Sequence, residues 1–184
     1  MYTRIMKKLF LLLLIFLPGL CDAQEYLSDQ LAENRIDEAA HDTIKRSYWQ
    51  VMERASFSRK LNTFYRISSI NGKIFLDLKI IEGGTVFVVA RNAELKLVLE
   101  NGTILILHNS AYQVSCKGCG ARGYGGSGAQ GVMLSFPINN SDLRTLLHNY
   151  IAEIGINTGE DYLEKKVNAT HSELFIDELK LVLR

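Results

Sequence analysis

The side chains best suited to chemistry in this 184-residue chain are Cys116 and Cys119, in the stretch SCKGCGARGYGGSGAQG at residues 115–131. Seven of the chain's fourteen glycines share those seventeen positions. Two cysteines three apart admit a thiol–disulfide centre, half of a zinc site, or a structural staple. Redox motifs of this spacing lower the thiol pKa at a helix N-terminus, and here Gly120-Ala121-Arg122-Gly123 follows, a poor helix start. A structural zinc site wants four ligands, and His41, His108, His148 and His171 are scattered singly. His108, eight residues before Cys116, is the one tempting partner, so Cys116, Cys119 and His108 form the metal or thiol-redox alternative. The staple asks least. Residues i and i+3 of a β-turn lie within about 7 Å at Cα, a separation that a disulfide accepts. A Cys116–Cys119 disulfide is therefore the expectation.

The glycines match G-x-G-x-x-G twice, at Gly118/Gly120/Gly123 and Gly123/Gly125/Gly128. A dinucleotide fingerprint needs a helix after it, because the helix N-terminus holds the pyrophosphate. VMLSFP follows instead, which reads as strand. There is no Gly-Lys-Ser/Thr, no G-x-S-x-G and no H-E-x-x-H. Glu160/Asp161 and Glu173/Asp177/Glu178 group carboxylates, but solvated acidic faces are far commoner than acid–base pairs. The reading is a non-enzyme with no cofactor. What remains of the stretch is a glycine-rich loop at 117–131 carrying Arg122, Tyr124 and Gln130, the candidate partner-binding residues. Asn101, Asn139 and Asn168 head sequons, which a bacterial host leaves bare.

The elements that must position these residues begin after residue 23. Residues 1–23 have the three parts of a secretory signal peptide: basic Arg4, Lys7 and Lys8, an apolar run from Leu9 to Leu17, and Cys21 and Ala23 at the small positions before a cut. The run falls short of the roughly 20 residues that span a bilayer, and bulky Leu20 argues against a lipoprotein anchored at Cys21. The chain carries 21 Lys plus Arg and 20 Asp plus Glu; removal of three bases and one acid with the signal leaves a mature net charge of −1. That is no footprint for nucleic acid, which wants a basic patch. Cys21 leaves too, so Cys116 and Cys119 have only each other in an oxidising compartment.

Residues 24–46 show only a broken helical pattern and read as an arm or a short helix. From 47 to 184 a single domain is expected. SYWQVM, at 47–52, reads as its first strand. TFYRISSI and KIFLDLKII flank Asn71-Gly72, and ELKLVLE and TILILHN flank Asn101-Gly102; Asn-Gly accepts the two positive φ values of a type I′ hairpin turn. Leu95, Leu97 and Leu99 alternate with polar neighbours, as do Ile74, Leu76, Leu78 and Ile80, the period of a half-buried antiparallel sheet. After Pro137, Leu143, Leu146, Leu147, Tyr150, Ile151 and Ile154 line one helical face, with Ser141 as N-cap. IAEIGIN competes as a short strand. DYLEKKV reads as a further strand, and Thr170/Glu173 open a C-terminal helix with capping-box spacing. Strands followed by helices predict an α+β fold: a mostly antiparallel sheet with about two helices, near 141–151 and 171–183, packed on it.

The signal peptide, the V/L-x-L-x-L-x-N-G strands, S-D-L-x-x-L-L and I-x-x-I-x-I together resemble small exported proteins common in Bacteroidota, over residues 63–160. The resemblance implies a periplasmic or surface setting and carries no activity, cofactor or functional residue. The expectation is an exported module that binds a protein or glycan partner, or serves an envelope-structural role, with no membrane span after signal cleavage.

Overall fold

The structure is a computed structural model and describes residues 30–53, 62–82, 86–119, 130–157 and 162–184. Residues 1–23, read above as a signal peptide, and the loop segment 120–129 with Arg122 and Tyr124, lie outside the described residues. Among the described residues, thirteen strands and two helices follow one another: β1 (Glu33–Asp37), β2 (Asp42–Arg46), β3 (Gln50–Glu53), β4 (Asn62–Ile70), β5 (Lys73–Glu82), β6 (Val88–Val89), β7 (Glu94–Leu99), β8 (Ile104–His108), β9 (Gln113–Val114), β10 (Cys116–Lys117), β11 (Gln130–Ile138), α1 (Asn140–Leu146), β12 (Ile151–Asn157), β13 (Tyr162–Lys166) and α2 (Ala169–Leu183). This is the α+β fold with a mostly antiparallel sheet that the patterning predicts. Among the described residues no helix is long and apolar enough to cross a membrane.

Of the two main sheets the larger runs β1-β2-β4-β5-β11-β10, with β3 also paired to β4, and the smaller runs β13-β12-β7-β8; β6 and β9 pair as a separate two-stranded ribbon. Period-two alternation decides which residues meet between the two main sheets. Tyr65, Ile67, Leu76, Leu78, Leu134 and Phe136 of the larger sheet join Leu95, Leu97, Leu99, Leu107, Ile154 and Ile156 of the smaller in one buried cluster. α2 adds Phe175, Leu179 and Val182 to it. The Phe175 ring packs 5.5 Å from that of Tyr65. The buried Ser172 hydroxyl accepts the Ile151 amide at 2.6 Å, tying α2 to the start of β12.

Both hairpins form, by different turns. Asn71 (φ 51°) and Gly72 (φ 76°) make the two-residue type I′ turn, with Ile70 opposite Lys73. At the second hairpin only Gly102 (φ 83°) is left-handed. The Leu99 amide donates to the Thr103 carbonyl and the Gly102 amide to the Leu99 carbonyl, so a three-residue turn with a glycine bulge replaces the expected type I′ geometry.

Three further expectations are corrected. The segment read as an arm or short helix is, from residue 33, the β1–β2 hairpin; Asp37 Oδ1 accepts the Ala39 and Ala40 amides and His41 takes φ 56°, a turn that no helix tolerates. The first helix ends at Leu146, not near 151. Ile151 and Ile154 belong to β12, where a register shift between Ile151 and Glu153 lets two residues three apart face the same side. A strand with a bulge thereby imitated a helical spacing. The caps also move: Asn139 accepts the Ser141 and Asp142 amides at 2.9 Å, and Asn168 accepts that of His171 at 2.8 Å. Asparagine is as good an N-cap as serine and better than threonine, so the earlier asparagine takes the position each time.

Candidate functional site

Cys116 and Cys119 lie within disulfide-bonding distance, Cα to Cα 5.1 Å. The Cys119 amide donates to the Cys116 carbonyl at 3.1 Å, and Gly118 at φ 75° occupies the third position, which makes this a type II turn. β10 pairs Cys116 with Gly131 and Lys117 with Gln130. A side chain at Gly131 would land on the Cys119 carbonyl oxygen, so a glycine there lets the turn lie against β11. Gln130 is half-buried, and its Oε1 has no hydrogen-bond partner among the described residues. His108 closes the smaller sheet opposite Glu94, exposed, with Nδ1 3.4 Å from the Asn92 carbonyl. No three His, Cys, Asp or Glu side chains gather as a metal site among the described residues.

A richer constellation lies on the larger sheet's outer face, away from the core. The type I′ turn sets β4 against β5 so that Arg66 faces Asp77 and Phe64 faces Lys79. β11 adds Ser135 beside Asp77 and Met133 beside Lys79. Asp77, only 9% exposed, accepts three donors: Arg66 Nε at 3.0 Å and Ser68 Oγ at 2.6 Å on Oδ2, and Ser135 Oγ at 2.8 Å on Oδ1. A buried carboxylate needs such satisfaction. Trp49, just before β3, brings its indole to both neighbouring cations. Its ring centroid lies 4.5 Å from Arg66 Cζ and 4.4 Å from Lys79 Nζ. The ring quadrupole attracts cations at this range. Burial first, and the Arg66 charge second, hold the Lys79 ammonium below the usual lysine pKa.

Behind this sheet, on α2, Glu178 is fully buried. Its Oε1 accepts Gln50 Nε2 at 2.9 Å, while Oε2 and the buried Tyr65 hydroxyl have no hydrogen-bond partner among the described residues. Burial raises the Glu178 pKa, the neighbouring Ser47 and Gln50 side chains partly offset that, and Asp177 adds to it. The Tyr65 phenol is pushed up as well, by burial and then by Glu178. These groups sit among packed side chains, which suits a structural polar pair rather than a reaction centre.

A cleft of about 620 Å³ opens elsewhere between the Asn71–Gly72 turn, His108 and Asn139. Two of its polar side chains are already engaged: Asn71 Oδ1 accepts the Thr43 amide at 2.9 Å, and Asn139 caps α1. The outer face with Trp49, Arg66, Lys79 and Met133 is thus the site that presents recognition groups. None of those residues stood out in the sequence, although counting back from Asn71–Gly72 places Arg66 opposite Asp77. Trp49 lacked such a signal, because its position depends on how β3 docks. No protein-family model matches this chain, and comparison with curated proteins and with solved structures returns no match.

Proposed function

We propose that this chain is an exported, non-enzymatic module that engages a protein or carbohydrate partner in the periplasm or at the cell surface, through the outer face of its larger sheet. The observation that carries this reading is the grouping of Trp49 with Arg66 and Lys79 beside Met133, which is 46% exposed. Tryptophan, arginine and methionine are enriched at protein interfaces, and an aromatic ring in such a patch is also a common carbohydrate contact. The export expectation rests on residues 1–23, whose cleavage is tested by N-terminal sequencing of the secreted or periplasmic product.

The test of the binding role is capture of defined envelope glycans and purified envelope proteins by the immobilised protein. A component held by the wild type is expected to be lost from a Trp49→Ala/Met133→Asp variant. It should be kept by Ile106→Thr, on the outer face of the smaller sheet. Equal capture by all three proteins would place recognition elsewhere and overturn the assignment of this face.

A further inference from the structure

We infer that Lys79 receives a carboxylate from an acidic polypeptide segment laid across the outer face of the larger sheet. This rests on the reading of that face as the binding surface and names its partner's chemistry. Strand register puts Val51, Phe64, Lys79 and Met133 in one row across β3, β4, β5 and β11. Three members of the row are apolar and one is a cation.

The charge balance around Lys79 points outward. Arg66 has its counter-ion in Asp77, and Asp77 is saturated by Arg66, Ser68 and Ser135. No described carboxylate pairs with Lys79, whose ammonium is held against the Trp49 ring next to a second cation. A half-buried ammonium beside a guanidinium gains more from an incoming carboxylate than a solvated surface lysine would, because part of its desolvation has already occurred and the local repulsion is relieved. The row also selects among acidic ligands. The indole contacts two cations, so its electron-rich face already has partners that compete with the C–H groups of a sugar. An apolar row around one positive charge complements a peptide that presents a carboxylate between hydrophobic side chains.

Trp49 is the chain's only tryptophan, so intrinsic fluorescence of the whole protein reports this patch directly. The protein is titrated with a leucine–glutamate peptide, its leucine–glutamine counterpart, oligogalacturonate and inorganic phosphate. The expected result is a saturable response to the glutamate peptide and a much weaker one to the other three. Lys79→Gln should weaken the glutamate peptide roughly tenfold, and Lys79→Arg should restore it. Equal binding of the glutamine peptide, or unchanged affinity in a folded Lys79→Gln, overturns the inference. So does phosphate binding as tightly as the peptide, which means a bare anion site. Preference for oligogalacturonate also overturns it, by moving the partner to a glycan. If a captured envelope component is lost from the Trp49→Ala/Met133→Asp variant but kept by Lys79→Gln, the carboxylate inference fails while the surface assignment stands.

Discussion

Glu178 shows how a single buried group can set the pH response of a fold. Its carboxyl is buried, with Oε2 unpartnered among the described residues, and its pKa is raised above the ordinary value of 4.5. A group raised in the folded state contributes stability that is complete below its unfolded pKa and is lost as pH rises through the folded one. Above that folded value the ionised form therefore weighs against folding. Glu33 and Asp37 act in the opposite sense. The Arg35 side chain lowers the Glu33 pKa, and the Ala40 and Ala39 amides lower that of Asp37, so their contributions are present above the unfolded values and lost in acid. Glu178→Gln keeps a bond to Gln50 within reach and removes the ionisation. Thermal melts should show a higher Tm for Glu178→Gln than for wild type at pH 8 and a narrowing gap towards pH 4. A constant gap would mean that the carboxyl does not titrate across this window.

At the scale of elements, the two Asn-Gly hairpins make a paired experiment, because the same dipeptide sits in different turns. Asn71 holds φ 51° and bonds Asp42 and the Thr43 amide, whereas Asn101 is not left-handed and anchors through Asn149 at 2.7 Å and the Thr103 amide at 2.9 Å. Asn71→Ala is expected to cost about 2 kcal/mol in urea unfolding, from left-handed strain plus the lost bonds. Asn101→Ala should cost about 1 kcal/mol, from the bonds alone. For the Cys116–Cys119 turn, intact mass with and without reductant should differ by two hydrogens. A Cys116→Ser/Cys119→Ser variant should keep its circular dichroism and lose at most about 2 kcal/mol, since so small a ring constrains the unfolded chain little. Stoichiometric zinc, or thiols titrating in unreduced protein, would contradict the staple. These elements were legible in the sequence because their signals are local: Asn-Gly beside alternating apolar residues, and two cysteines at turn spacing. The β1–β2 hairpin was not, since Ile44 finds its partner Ile70 only through β4. The bulge in β12 was hidden for a related reason, because its shifted parity shows only once Ile151 is set against Leu99.

For the molecule as a whole, the alternation of β5 and β7 foretold a half-buried antiparallel sheet but not its division into two main sheets and a β6–β9 ribbon. β11 returns from the glycine loop to pair with β5, while β12 crosses to pair with β7, and these long-range choices place Met133 beside Lys79 and Ile154 opposite Leu97. The candidate surface was hidden for the same reason, since its residues come from β4, β5, β11 and the approach to β3. The two sheets then depend on α2. Leu179 is fully buried, and its helix packs on β4 of the larger sheet and β12 of the smaller, contributing to the one cluster that both sheets share. A cavity there cannot be absorbed by one sheet alone. Leu179→Ala should cost about 3–4 kcal/mol. The loss should be shared by both sheets, so that hydrogen-exchange protection in β5 and β7 falls together and the urea transition stays single. Reduced protection confined to β12 and β13, with β4 and β5 unchanged, would instead mean that the larger sheet is stable without the helix.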